Sequence, residues 1–302
     1  MTDSRGEIYD LGYRNYDGPR LGRSYAVRSL LQMSVRNTFG LGRGPMAKFL
    51  AFGLTLLAFI PAIAQLVIGA VVPVDDFQFI APEDFFGRIQ VILVLFVAAM
   101  ASELVGNDRK NNTLVLYFSR PIEKEDYVLA KIGALAIALL ALTLLPQVLL
   151  FLGNWLGAGD GTEWITDNWT ELFPIVGAAV LVSAQLASFG ILVAALVTKR
   201  AFALVSVLGG LLVIWIATEI VVELTDAGTG AIPVVMVSPL HVARGATLVL
   251  FGAVPALNPG DESGGDNTVG ALDLPGVVWI VAIVAHIALF TALAIRKYRR
   301  SV

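Results

Sequence analysis

The feature that most constrains this chain is a series of long stretches without a single charged residue. Residues 49–72 contain no Asp, Glu, Lys or Arg, and neither do residues 172–198. A helix rises about 1.5 Å per residue, so each stretch is long enough to cross a hydrocarbon core about 30 Å thick. Only 15% of the 302 residues are charged, against about a quarter in a soluble domain. The pattern therefore predicts an all-α membrane protein.

Six transmembrane helices account for most of the apolar sequence. We predict them at 49–72, 85–105, 128–155, 172–198, 201–224 and 274–295, within one transmembrane domain of residues 46–302. Residues 156–171, between the third and fourth of these helices, are predicted to form a loop.

The N-terminal residues 1–45 have a different pattern. They begin as a polar arm rich in glycine and continue with apolar residues at helical spacing, namely Val27, Leu30, Leu31, Val35 and Phe39. This spacing predicts an amphipathic helix lying in the membrane interface before the first transmembrane helix.

The segment before the last span is apolar but interrupted. Residues 231–258 contain three prolines and one charged residue, Arg244. Neither 231–240 nor 245–254 is long enough to cross a bilayer alone. We expect two short re-entrant or interfacial helices here, within an external segment of residues 225–273.

The basic residues indicate an orientation. With six spans and both termini in the cytoplasm, 19 of the 21 Lys and Arg residues fall on the cytoplasmic side, leaving only Arg88 and Arg244. Cytoplasmic loops of membrane proteins carry such an excess of basic residues. The sequence thus predicts a multi-pass protein of the cell membrane with both termini inside.

No pattern for covalent chemistry is visible. The sequence lacks a phosphate-binding loop of the form Gly-x-x-x-x-Gly-Lys-Ser/Thr. It has no cysteine, and its two histidines, His241 and His286, are 45 positions apart. We therefore expect no catalytic site, metal or cofactor in this chain, and no nucleic-acid partner.

A charged island separates the second and third spans. Residues 103–131 are too polar for a bilayer, and we predict that 106–127 form a structured cytoplasmic loop with a short helix at 113–118. Basic side chains such as Arg109, Lys110 and Lys124 are expected to fix its register on a partner protein. Glu103 begins this island at the membrane edge, where the simplest role for it is an ion pair with Arg109 or Lys110.

The island resembles the corresponding segment of ABC-2-type ABC transporter permeases. In that family an acidic residue ends the second span, a charged pair and two short motifs follow, and a lysine begins the third span. The matching residues here are Glu103, Asp108, Arg109, Thr113, Leu114, Ser119, Arg120, Pro121, Tyr127 and Lys131. Asn112 stands where the family usually has glycine.

The resemblance implies a function. It implies a permease subunit of an ATP-driven exporter, in which residues 106–127 couple two separate ATPase subunits to outward transport by alternating access. ATP and Mg would belong to those ATPases. A six-span chain of this kind would pair with a second copy or a sister permease within the lipid bilayer.

Two other hypotheses for the function stay open. A proton-coupled secondary transporter would use Glu103, Glu219, Glu223 or His286 as proton carriers. A membrane anchor would hold a soluble partner without transport. In the exporter reading, Glu219 and Glu223 lie four residues apart on one helix face and are candidates for a pathway or outer gate.

Overall fold

The helices follow one another with few long breaks. The computed structural model describes residues 18, 21–42, 45–71, 81–111, 113–119, 121–225, 229–253 and 274–301. Within these residues the regular structure is helical throughout. The α-helices are α1 (Gly22–Thr38), α2 (Pro45–Val71), α3 (Phe85–Lys110), α4 (Thr113–Phe118), α5 (Lys124–Gly157), α6 (Gly161–Asn168), α7 (Leu172–Leu196), α8 (Arg200–Leu224), α9 (Ile232–Val237), α10 (Pro239–Leu250) and α11 (Gly276–Ser301).

Six of these helices are long and apolar enough to cross a membrane. They are α2, α3, α5, α8 and α11, together with Gly161–Leu196, which comprises α6, a short turn and α7. The prediction of an all-α protein with six spans is confirmed for the described residues.

The island between the second and third spans is more helical than predicted. The segment 106–127 was expected to be a loop, but α3 continues to Lys110 and α5 already begins at Lys124. Hydropathy marks where the chain leaves the hydrocarbon, not where backbone hydrogen bonding ends. At the start of α5, Glu123 and Asp126 form a reciprocal capping box, which stabilises the first turn of a helix.

The loop predicted at 156–171 also contains a helix. The Asp160 carboxylate accepts hydrogen bonds from the backbone N–H groups of Thr162 and Glu163, at 2.9 and 3.1 Å. Such a cap satisfies backbone donors that have no partner within the helix. α6 therefore forms although it is too short to appear as a span.

Helix α7 lies at the centre of the bundle. It packs against α3, α5, α8, α10 and α11, and both α3 and α7 are largely buried. The N-terminal helix α1 packs along α5. Leu30 of its predicted apolar stripe is buried, but so are the polar residues Ser34 and Thr38.

The two short helices before the last span differ in their surroundings. α10 is buried along most of its length, packing against α7 and α11, whereas only Val235 of α9 is buried. Gly245 of α10 lies directly against the ring of Trp279 in α11, which is fully buried. Packing of this kind makes α10 part of the helical bundle.

The two ends of the bundle differ in charge. At one end, Arg23 of α1 and Arg299 of α11 both contact the start of α5. We call this the basic end; the turn between α7 and α8, with Lys199 and Arg200, also lies there. The opposite end, which carries Asp84, Glu163 and Glu171, is called the acidic end.

Candidate functional site: a polar joint at the basic end

The short helix α4 projects between the ends of α3 and α5. Leu114 and Phe118 are half-buried and pack against the bundle. Val115 and Leu116 point away from it and are 70% and 64% exposed. The other exposed apolar side chains belong mostly to the long helices that face lipid. α4 lies beyond the end of α3, so its exposed pair is not part of a long apolar helix.

Asp108 is the centre of the joint beneath α4. Its carboxylate lies 2.7 Å from Nζ of Lys131 and accepts a 2.8 Å hydrogen bond from the Tyr127 hydroxyl. Thr113 donates its hydroxyl to the backbone oxygen of Asp108 at 3.2 Å. Lys131 is only 1% exposed, and a buried charge of this kind needs a close partner. Asp108 thereby joins α3, α4 and α5.

Arg109 connects the same helix end to α7. Its guanidinium donates to the backbone oxygens of Ala195 and Val197, both at 2.6 Å. These carbonyls lie at the C-terminal end of α7, where helices leave acceptors without partners. The group also lies over the ring of Tyr298 in α11, at 5.8 Å from its centroid. Arg109 was predicted to fix the register of the island on a partner protein; in the structure its two donating guanidinium nitrogens are directed into the bundle.

Glu103 pairs with a residue that the sequence did not suggest. The expected ion pair with Arg109 or Lys110 is wrong, since Glu103 pairs with Arg200 at the start of α8. Its second oxygen accepts a 3.1 Å hydrogen bond from Asn107, one turn further along α3. Gly106 allows the approach, because a Cβ there would lie 2.9 Å from Cβ of Arg200.

The first and last described helices meet at the start of α5. Arg23 of α1 donates to Asp126 at 2.8 and 3.0 Å and also pairs with Glu123. The hydrogen bond to Asp126 raises the pKa of Arg23 above its ordinary value. Arg299 of α11 pairs with Glu125. The joint therefore contacts α1, α3, α4, α5, α7, α8 and α11.

The remaining predicted residues of the island have different surroundings. Ser119 is exposed and donates to the backbone oxygen of Leu116 at 2.9 Å. Pro121 is exposed, while Ile122 beside it is buried. Arg120 and Asn112 lie outside the described residues.

At the acidic end, Glu219 and Glu223 have different surroundings. Glu219 lies 3.2 Å from Nε2 of His241 in α10, and Ser238 lies 2.8 Å from Nδ1 of the same ring. Glu223 is exposed. Glu219 therefore ties α8 to α10, whereas Glu223 faces outward.

His286 lies in a separate hydrogen-bonded group. Its ring nitrogens contact Nε2 of Gln185 at 2.9 Å and the backbone oxygen of Met236 at 3.0 Å. The residues considered as proton carriers thus lie in distinct groups, in which Glu219 and His286 join helices to one another, whereas Glu223 is exposed.

Several residues of the joint were not predicted from the sequence. Arg23, Arg200 and Arg299 had been counted only toward the basic bias, and Tyr298 had not been singled out. All four come from segments far from the island, so nothing in the sequence indicated that they meet it.

Comparison with known families agrees with this architecture. The fold and the joint define a multi-pass helical membrane protein whose spans are tied together at one end. The family described as "ABC-2 family transporter protein" matches residues 49–301, which is most of the chain. The chain belongs to the ABC-2 transporter family and is a transmembrane component of such a transporter. No curated protein sequence matches it.

Proposed function

We propose that this chain is the permease subunit of an ATP-driven exporter, and that α4 is the element on which a separate ATPase subunit docks. One observation carries the proposal. α4 presents Val115 and Leu116 at the basic end, 70% and 64% exposed, while its other face is held by the bundle. An exposed apolar pair on a rigid support is suited to insertion into a cleft of a partner.

The distribution of charge supports the orientation. Lys and Arg concentrate at the basic end, which is expected of the cytoplasmic side of a cell-membrane protein. Arg23 near the N-terminus and Arg299 near the C-terminus both contact the start of α5. We therefore propose that the basic end and both termini are cytoplasmic, and that α4 faces soluble ATPases.

The joint provides a route for movement from α4 into the membrane. Thr113 connects α4 to the backbone of Asp108, and Asp108 holds Lys131 of α5. Arg109 connects the same helix end to α7. A displacement of α4 by an ATPase would thus act on α3, α5 and α7 together. Glu103, Leu114, Ser119, Arg120 and Pro121 complete the proposed coupling segment.

The family supports the ATPase partners of the proposed assembly. ABC-2 permeases work with ABC ATPases, and we propose two ATPase subunits that bind ATP and Mg, together with a second permease copy or a sister permease. Cargo would move outward by alternating access. Glu219 and Glu223, at the acidic end, are proposed to line the outer gate.

The experiment is a purification of the tagged chain from its native membranes in mild detergent, followed by an ATPase assay of what co-purifies. We expect a stoichiometric ATPase with the unaltered chain. Val115→Asp and Leu116→Asp should release it, because a buried, unpaired carboxylate is strongly unfavourable at an interface. Val115→Ile is the matched control and should retain the ATPase.

Loss of the ATPase can be distinguished from unfolding of the chain. Both Asp variants alter exposed side chains, so the purified chain should keep its thermal stability. If the chain purifies without any ATPase, or if the Asp variants retain it fully, the proposed docking role of α4 is wrong.

A further inference from the structure

A second polar site lies toward the acidic end, far from the joint along α5. It is a cavity between α2, α5 and α7. The polar side chains that line it are Gln65, Gln147, Asn154 and Glu171. Three separate parts of the chain therefore contribute hydrogen-bonding groups to one space.

Gln147 is the least satisfied of these groups. It is 2% exposed, and neither its amide nitrogen nor its amide oxygen has a hydrogen-bond partner in the part of the chain that the structure describes. Buried polar groups are almost always hydrogen-bonded, because leaving them unpaired away from water is costly. The amide thus calls for an occupant that both donates and accepts hydrogen bonds.

The charge of the site favours a cation. Glu171 lies at the edge of the cavity and is half-buried. Within the described residues it forms no ion pair, and the carboxylate of Glu83 acts on it electrostatically. A carboxylate at the edge of the cavity attracts a positive group and repels an anion.

The size of the cavity limits that group. The space that a water-sized group can enter measures about 20 Å³, which is room for one such group, so only the charged end of a ligand fits there. A primary ammonium group has this size, whereas a trimethylammonium group is several times larger. The rest of the wall is apolar, formed by Leu150, Phe151 and Ile175, and suits a hydrocarbon chain.

We propose that this cavity binds the primary ammonium head of an amphipathic molecule. The amide oxygen of Gln147 accepts a hydrogen bond from the ammonium group, and Glu171 balances its charge. The amide N–H of Gln147 also needs an acceptor, so the head carries an oxygen a few bonds from the nitrogen, as in an ethanolamine group. The site does not depend on ATP-driven transport.

The test measures binding to the full chain in phosphatidylcholine nanodiscs by native mass spectrometry. The probes are short-chain phosphatidylethanolamine and short-chain phosphatidylcholine, which differ only in the three methyl groups on nitrogen. We expect the ethanolamine lipid to bind at least about tenfold more tightly. Gln147→Leu and Glu171→Gln should each weaken it about tenfold, because each removes a hydrogen bond to a charged group.

A matched control is Glu163→Gln, which neutralises an exposed carboxylate of α6 outside the cavity and should leave binding unchanged. The ammonium group could belong to a lipid head group or to a free amphipathic amine, and competition by an eight-carbon amino alcohol distinguishes the two. Displacement of the lipid by this probe assigns the site to free amphipathic amines, and failure to displace it assigns the site to a lipid head group.

Equal binding of the two lipids to the unaltered chain would overturn the proposal, since the cavity would then hold water alone. Unchanged binding to Glu171→Gln would overturn it as well. This variant changes a half-exposed residue, so its result decides the question even if Gln147→Leu folds poorly.

Discussion

Asp108 and Lys131 join α3 to α5 across 2.7 Å, at a position where the lysine is almost completely buried. Removing one member of a buried ion pair leaves the other uncompensated and costs about 3–5 kcal/mol. We expect Lys131→Met to lower the free energy of unfolding by an amount in this range, measured by denaturation of the detergent-purified chain.

Restoring neutrality should recover part of that loss. The double variant Asp108→Asn with Lys131→Met removes both charges, so its destabilisation should be clearly smaller than the sum of the two single changes. Additive effects would show that the two side chains do not interact and would contradict the joint.

Arg109 should protect the end of α7. Hydrogen bonds to a charged group contribute about 1.5–3 kcal/mol each, and a lysine cannot reproduce the forked geometry of a guanidinium. We expect Arg109→Lys to increase hydrogen exchange at the amides of residues 195–200, followed by mass spectrometry. Lys110→Ala, at the exposed neighbouring position, is the control and should leave this exchange as it is. Equal protection in both variants would rule out the proposed cap.

Gly245 should be one of the least replaceable residues in the chain. A Cβ at this position would overlap the ring of Trp279, and forcing extra atoms into packed regions costs about 1–3 kcal/mol. Gly245→Ala should therefore lower the melting temperature. Gly210→Ala is the matched control, because its Cβ would meet Phe189 at an ordinary 3.5 Å. A melting temperature unchanged in Gly245→Ala would show that α10 and α11 are not in contact there.

The attachment of α1 should depend on salt. Arg23 holds α1 to the start of α5 through Asp126 and Glu123, and both Arg23 and Glu123 are exposed. Ions screen exposed charges over about 3 Å at 1 M salt. We expect hydrogen exchange in the first turns of α1 to rise in 1 M NaCl, whereas exchange around the buried residue Leu30 should change little. In Arg23→Gln the salt effect should disappear; a variant that still responds to salt would implicate other charges.

The sequence was sufficient to predict the spans. A span must be long enough to cross the hydrocarbon core and must avoid charged side chains along its whole length, and both conditions can be checked in the sequence. It was insufficient for the partners of individual charges. Asp108 and Lys131 were both singled out, yet nothing in their spacing of 23 positions indicated that they meet. Glu103 was given the wrong partner because Arg200 approaches only after α3 and α8 pack side by side.

Hydropathy also did not predict where the helices end. α3 extends to Lys110 through polar residues whose helicity rests on backbone hydrogen bonds and on side-chain contacts to other helices. α6 depends on a single cap at Asp160. In both cases the deciding interactions are local or tertiary, and average apolarity does not report them.

The length of α5 has a mechanical consequence. Its 34 residues correspond to about 51 Å of helix, against a hydrocarbon thickness of about 30 Å. One continuous helix thus holds Lys131 in its first third and Gln147 at the start of its last third. Pro146, one residue before Gln147, has no backbone N–H to donate to the preceding turn. α5 thus lacks one backbone hydrogen bond beside the cavity, and we expect it to bend there more readily than elsewhere.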